Sequence, residues 1–215
     1  LLHHDLPGIL ARIPDQSWQA KEVEISTNAQ FVDWPSFEQA ISLGILSQLI
    51  VSCDGDGSPE DYERLRPPSR WEKLIEFLDR ASAIRDRLSP KLRLYTRTIC
   101  VDPEAQARWR AIFEPRGWIP EFREWAYLPD SIENMTGRDL RFRTGICSYL
   151  KTNHRLYVDW DGTVVPCCIH PRAGEFGNLM NQSFNDILFG ERRSEFSVMQ
   201  RADRKKMLIC SSCEL

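Results

Sequence analysis

The chemistry-bearing residues of this chain are its cysteines. Four of the seven, Cys147, Cys167, Cys210 and Cys213, fall in the last 69 residues with a distinctive spacing. Cys210 and Cys213 form a C-x2-C pair, which lets two thiolates reach one metal centre while backbone amides point at the sulfurs. Cys147 and Cys167 flank a segment with Asp161-Gly162 inside it, and a hairpin there would bring their sulfurs together across its open end. Four thiolates can hold a zinc ion tetrahedrally or a 4Fe–4S cluster, and ligand type alone does not separate the two. Cys53 and Cys100 sit at the ends of strand-like runs and are expected to pack as small apolar residues. Cys168 follows a candidate ligand directly, so its side chain is expected to point the other way.

The elements that must position these residues differ between the two parts of the chain. Up to about residue 130, helical and strand-like patterns alternate. Leu6 to Ile13 and Phe31 to Leu43 have helical spacing, and Trp71, Leu74, Ile75, Leu78 and Ile84 mark a longer helix. Glu22–Thr27, Ile45–Ser52, Lys91–Val101 and Phe122–Leu128 read as strands. Ser58, followed by Pro59, Glu60 and Asp61, is a helix start. This order predicts parallel βα units in an α/β fold, with a ligand site at the carboxyl ends of the strands. Those ends lie near Asn28, Ser52 to Gly55, and Val101 to Asp102. Residues 131–146 are polar without periodicity and read as a linker. From 147 to 215 the texture changes to a small α+β domain: a hairpin around Asp161-Gly162 and a helix capped at Ser183.

Composition narrows the function classes. The net charge of −3 carries no basic excess, which speaks against a nucleic-acid partner. No apolar run approaches the ~18 residues of a membrane helix, and no secretory signal is visible, so a cytoplasmic location is expected. In that setting metal ligation is a stronger reading of the cysteines than a disulfide framework.

Residues 147–215 resemble the auxiliary-cluster domains of radical S-adenosylmethionine (SAM) enzymes, called twitch when they hold one cluster and SPASM in the larger form. The resemblance rests on Cys147-x14-Gly162-x4-Cys167 and Cys210-x2-Cys213. Supporting blocks are Asp161-Gly162-Thr163-Val164-Val165-Pro166-Cys167-Cys168, Phe176-Gly177-Asn178-Leu179, and Ser183 to Leu188. The chain stops two residues after Cys213, which favours the twitch type. The first part is similar to the same family at Ser26-Thr27-Asn28, at Val51-Ser52-Cys53-Asp54-Gly55 and from Asp61 to Arg66. It therefore resembles part of a (β/α) radical SAM barrel. The resemblance implies that Ser52, Asn28, Asp54 and Arg66 line a SAM pocket, with Arg66 pairing with the SAM carboxylate. It also implies that Cys147, Cys167, Cys210 and Cys213 hold an auxiliary 4Fe–4S cluster.

The family's C-x3-C-x2-C, which holds the SAM-cleaving cluster, is not among these cysteines. Leu1 to Leu6 looks like the stretch that follows the family's first strand, so the expectation is that the first strands lie outside this sequence or on a separate chain. In the intact enzyme the resemblance implies cleavage of SAM by a second 4Fe–4S cluster to a 5′-deoxyadenosyl radical. That radical abstracts hydrogen from a peptide, sugar or small metabolite, with electrons from a flavodoxin- or ferredoxin-type donor. Arg97 and Glu124 are candidate substrate contacts. Two readings from other classes stay open: a non-catalytic scaffold or peptide-binding partner, and a structural protein with zinc on four cysteines.

Overall fold

A computed structural model describes residues 5–15, 20–129, 133–151 and 156–214. Leu1–His4, part of the stretch that resembles the radical SAM barrel, lie outside the described residues, as do positions 131 and 132 of the expected linker. The chain divides into two compact units, residues 1–125 and 126–215.

The first unit is built from βα repeats. Helix α1 (Leu6–Asp15) precedes β1 (Glu24–Thr27), α2 (Trp34–Ser42) and β2 (Gln48–Ser52). Then come α3 (Pro59–Leu65), α4 (Trp71–Leu88), β3 (Arg93–Ile99), α5 (Pro103–Phe113) and β4 (Ile119–Arg123). The four strands are all parallel, in the order β1-β2-β3-β4. Each strand thus lies beside the one before it, without the reversal of strand order that marks a doubly wound sheet. The alternation in β3 sets its two faces. Leu94, Thr96 and Thr98 are buried, while Arg93, Tyr95, Arg97 and Ile99 are not. Leu49, Val51 and Leu94 join one core with Leu74, Phe77, Leu78, Trp109 and Phe113 from the helices.

Local chemistry fixes the helix ends. Ser58 caps α3 by accepting from the Asp61 N–H, and Asp102 caps α5 by accepting from the Ala105 N–H. Such caps are worth about 1 kcal/mol each. The last strand runs over Ile119–Arg123, not over Phe122–Leu128 as the sequence pattern suggested. Gly117, at φ 75°, ends a 3-10 turn over Glu114–Arg116, and buried Trp118 then anchors the chain as it enters the sheet early. Pro120 is tolerated because β4 is at the sheet edge.

The second unit has α6 (Ser148–Lys151), β5 (Tyr157–Val158), β6 (Thr163–Val165), β7 (Gly177–Asn178), α7 (Phe184–Leu188) and α8 (Glu191–Asp203). Strands β5 and β6 form the expected antiparallel hairpin, and β7 extends it to three strands. The Gly162 N–H donates to Asp159 O at 3.0 Å, and the Asp159 N–H to Thr163 O at 2.7 Å. Gly162 sits at φ 86°, the left-handed residue of a three-residue connection. Ser183 caps α7, its hydroxyl accepting from the Asp186 N–H and donating to the Asp186 carboxylate. Helix α8 gave no apolar period in the sequence, because two of its three buried residues, Arg193 and Gln200, are polar.

Candidate metal centre

The four spaced cysteines line one small cavity in the second unit, about 20 Å3 in volume. Cys147 sits just before α6, its carbonyl accepting from the Leu150 and Lys151 N–H groups. Cys167 follows β6. Cys210 opens a 3-10 turn over Cys210–Ser212, and the Cys213 N–H closes it onto Cys210 O at 3.4 Å. Cys147, Cys210 and Cys213 are buried and Cys167 is half-buried. Leu150, Pro166, Ile169 and Ile209 complete an apolar wall.

The thiols are electrostatically close. Burial pushes the Cys167 thiol up; the amides of His170 and Ile169 oppose that shift, and neighbouring Cys147 and Cys213 add to it. Burial likewise raises the Cys210 thiol, against the Gln200 amide and the Arg204 charge, while Cys167 and Cys213 add to the rise. Among the described residues, no three His, Cys, Asp or Glu are arranged to hold a single metal ion.

Cys168 does not line this cavity. It is exposed and lines a second pocket with Tyr157, Val158, Asp159 and Val165, which Cys167 also borders. Cys53 and Cys100 are buried in the first unit. The Cys53 sulfur lies 3.4 Å from the Thr98 hydroxyl.

Two residues at this cavity left no trace in the sequence pattern. Gln200, on α8, accepts from the Cys147 N–H at 2.9 Å and donates to the Cys210 sulfur at 3.5 Å. Arg204, just past α8, donates to Cys210 O at 2.9 Å and to Cys213 O at 3.4 Å. A buried polar pair does not register as amphipathic periodicity, so no sequence signal marked them.

The residues singled out in the first unit lie at the carboxyl end of its sheet. Ser52 is the last residue of β2, in register with Arg97 and, through it, with Glu121. Asn28 follows β1, and its side chain accepts from the Gln30 N–H at 3.2 Å. Asp54 and Arg66 are brought together, Arg66 Nη1 lying 2.5 Å from Asp54 Oδ2. The other Asp54 oxygen accepts from the Ile99 N–H at 3.1 Å, tying the loop after β2 to the end of β3. Arg97 pairs with Glu121 at 3.0 Å. Glu121 is held below the usual carboxylate range: partial burial would raise it, but Arg97 and Arg123 outweigh that. Glu124 lies past the end of β4 and is exposed.

Comparison with known families assigns part of this architecture. Residues 147–214 match the family model SPASM, described as an iron-sulfur cluster-binding domain. No curated protein matches the chain. The second unit thus contains a SPASM-type domain, a kind that binds iron–sulfur clusters and is typical of radical SAM enzymes. Among the described residues, no helix is long and apolar enough to cross a membrane.

Proposed function

We propose that this chain is part of a radical SAM oxidoreductase or modifying enzyme, and that Cys147, Cys167, Cys210 and Cys213 hold an auxiliary 4Fe–4S cluster. The observation that carries the reading is the single cavity lined by all four thiols within a SPASM-type domain. The match of residues 147–214 to an iron-sulfur cluster-binding domain favours a cluster over zinc on the same four thiols. When bound, such a cluster supplies one-electron transfer or a binding point for substrate.

The protein's own residues give that centre its setting. Leu150, Ile169 and Ile209 keep water away, and the C-x2-C turn presents two sulfurs from one short segment. Cys167 and Cys210, raised by burial, must lose their protons as iron binds, so loading is favoured by rising pH. In the first unit the consecutive parallel strands support a partial (β/α) barrel, with SAM near Ser52 and Asn28. Hydrogen abstraction from a peptide, sugar or small metabolite, a flavodoxin- or ferredoxin-type donor and a cytoplasmic location complete the proposal.

Anaerobic purification with iron, sulfide and zinc analysis tests the centre. Iron and sulfide are expected in wild type and in Cys168→Ala, and are lost in Cys167→Ala. Zinc without sulfide sinks the cluster. Combined with the segment that carries the C-x3-C-x2-C and reduced with dithionite, the loaded chain is then expected to release 5′-deoxyadenosine from SAM. An iron-loaded combination of the two that leaves SAM intact defeats the enzymatic reading and favours a scaffold.

A further inference from the structure

Arg204 is 3% exposed, and among the described residues no carboxylate pairs with it. Its recorded partners are the carbonyl oxygens of Cys210 and Cys213. Carbonyls accept from its Nε and Nη2 but leave its charge without a counter-ion, and an uncompensated buried charge is costly. The cavity it lines is ringed by thiols, which become anionic when they bind metal. Gln200, 2% exposed, lines the same cavity and aims its amide N–H at the Cys210 sulfur. Neither residue is itself a thiol ligand, yet both are directed at the C-x2-C side of the centre.

We propose that Arg204 is the internal counter-ion of the bound cluster and that, together with the Gln200 donor, it raises the cluster's reduction potential. This rests on the iron–sulfur reading above. Reduction adds one electron, drawn from an external one-electron donor, to a centre already carrying thiolate charge. A fixed positive charge and an N–H donated to a ligand sulfur both stabilise the more negative state. Arg204 and Gln200 are positioning residues: they act on the centre through Cys210 and Cys213.

The test is an EPR-monitored potentiometric titration of the full chain, loaded anaerobically, with iron and sulfide counted in every sample. Arg204→Met is expected to shift the reduction equilibrium about tenfold toward the oxidised state, about 59 mV for a one-electron couple. Arg204→Lys keeps the charge and is expected to stay within about threefold of wild type, and Gln200→Met to shift about threefold or more toward the oxidised state. Fully loaded Arg204→Met within about twofold of wild type overturns the counter-ion role. If Arg204→Met does not load, Arg204→Lys and Gln200→Met decide: an unshifted Gln200→Met, or a lysine variant displaced as far as about tenfold, overturns the proposal. Wild-type protein without iron and sulfide would instead defeat the cluster reading on which it stands.

Discussion

Removing the Asp54 carboxylate tests what Asp54 and Arg66 do. Asp54 has two engagements: Oδ1 accepts from the Ile99 N–H at 3.1 Å and Oδ2 meets Arg66 at 2.5 Å. The two side chains are 26% and 23% exposed, so the pair is mostly shielded from solvent. A hydrogen bond to a charged group contributes about 1.5–3 kcal/mol, against about 0–1 kcal/mol for a fully exposed ion pair. Asp54→Ala also strands a guanidinium and the Ile99 N–H, so a loss of about 2–4 kcal/mol is expected. Asp54→Asn keeps an acceptor for Ile99 and loses only the charge, for about 1–2 kcal/mol. Urea unfolding by tryptophan fluorescence is the assay. Trp109 is fully buried and donates to Gly55 O at 2.9 Å, so it reports on this loop directly. A double-mutant cycle with Arg66→Ala is expected to return a coupling of about 1–2 kcal/mol. Coupling near zero, with Asp54→Ala within about 0.5 kcal/mol of wild type, refutes the structural role. Arg66 would then be available to a SAM carboxylate rather than committed to holding the loop.

Two further outcomes follow from single residues. Burial first, and the Asp54 charge after it, push the Cys53 thiol from 9.0 to about 12, against the Thr98 hydroxyl and Arg66. The raised value means that folded protein keeps the proton while unfolded chain loses it. The resulting stability is present below pH 9 and is lost as pH rises through about 12, by at most about 4 kcal/mol. Wild type is expected to lose stability faster than Cys53→Ala across that alkaline window in paired urea titrations, and parallel curves would exclude this origin. Gly162→Ala places a Cβ 3.0 Å from Asn178 Oδ1 and from Met180 Cγ, at φ 86°. The left-handed conformation alone costs about 1–2 kcal/mol, so a lower melting temperature for the second unit is expected, and an unchanged one would contradict the turn assignment.

How much of this was legible in the sequence depended on which side chains are buried. Strand β3 was readable because Leu94, Thr96 and Thr98 face the helices while Arg93, Tyr95 and Arg97 do not. Strand β4 was misplaced because its burial pattern has no alternation, Pro120 interrupts it, and its start is fixed by the turn at Gly117. The four cysteines were legible as a set because spacing is a sequence property. That they share one cavity that Cys168 does not line needed the path of the chain after β6. Asp54 and Arg66 stood out by resemblance, but their bond to each other spans 12 positions and leaves no periodic mark.

Helix α8 shows why the centre and its domain have to be considered together. Its buried residues are Arg193, Phe196 and Gln200, with Arg204 buried just beyond, a stripe at helical spacing that is three-quarters polar. The apolar core beside it is small: Leu150, Val164, Phe176, Ile187, Phe196 and Cys210. Strands of two or three residues add little ladder energy. Burying arginine and glutamine against so small a core is unfavourable unless they face something polar and charged. Gln200 and Arg204 of this stripe line the cysteine cavity, so under the proposed reading a thiolate-bound centre is the group they face. Binding free energy at such a centre is then also folding free energy for the second unit. The first unit has its own larger apolar core and owes nothing to that term.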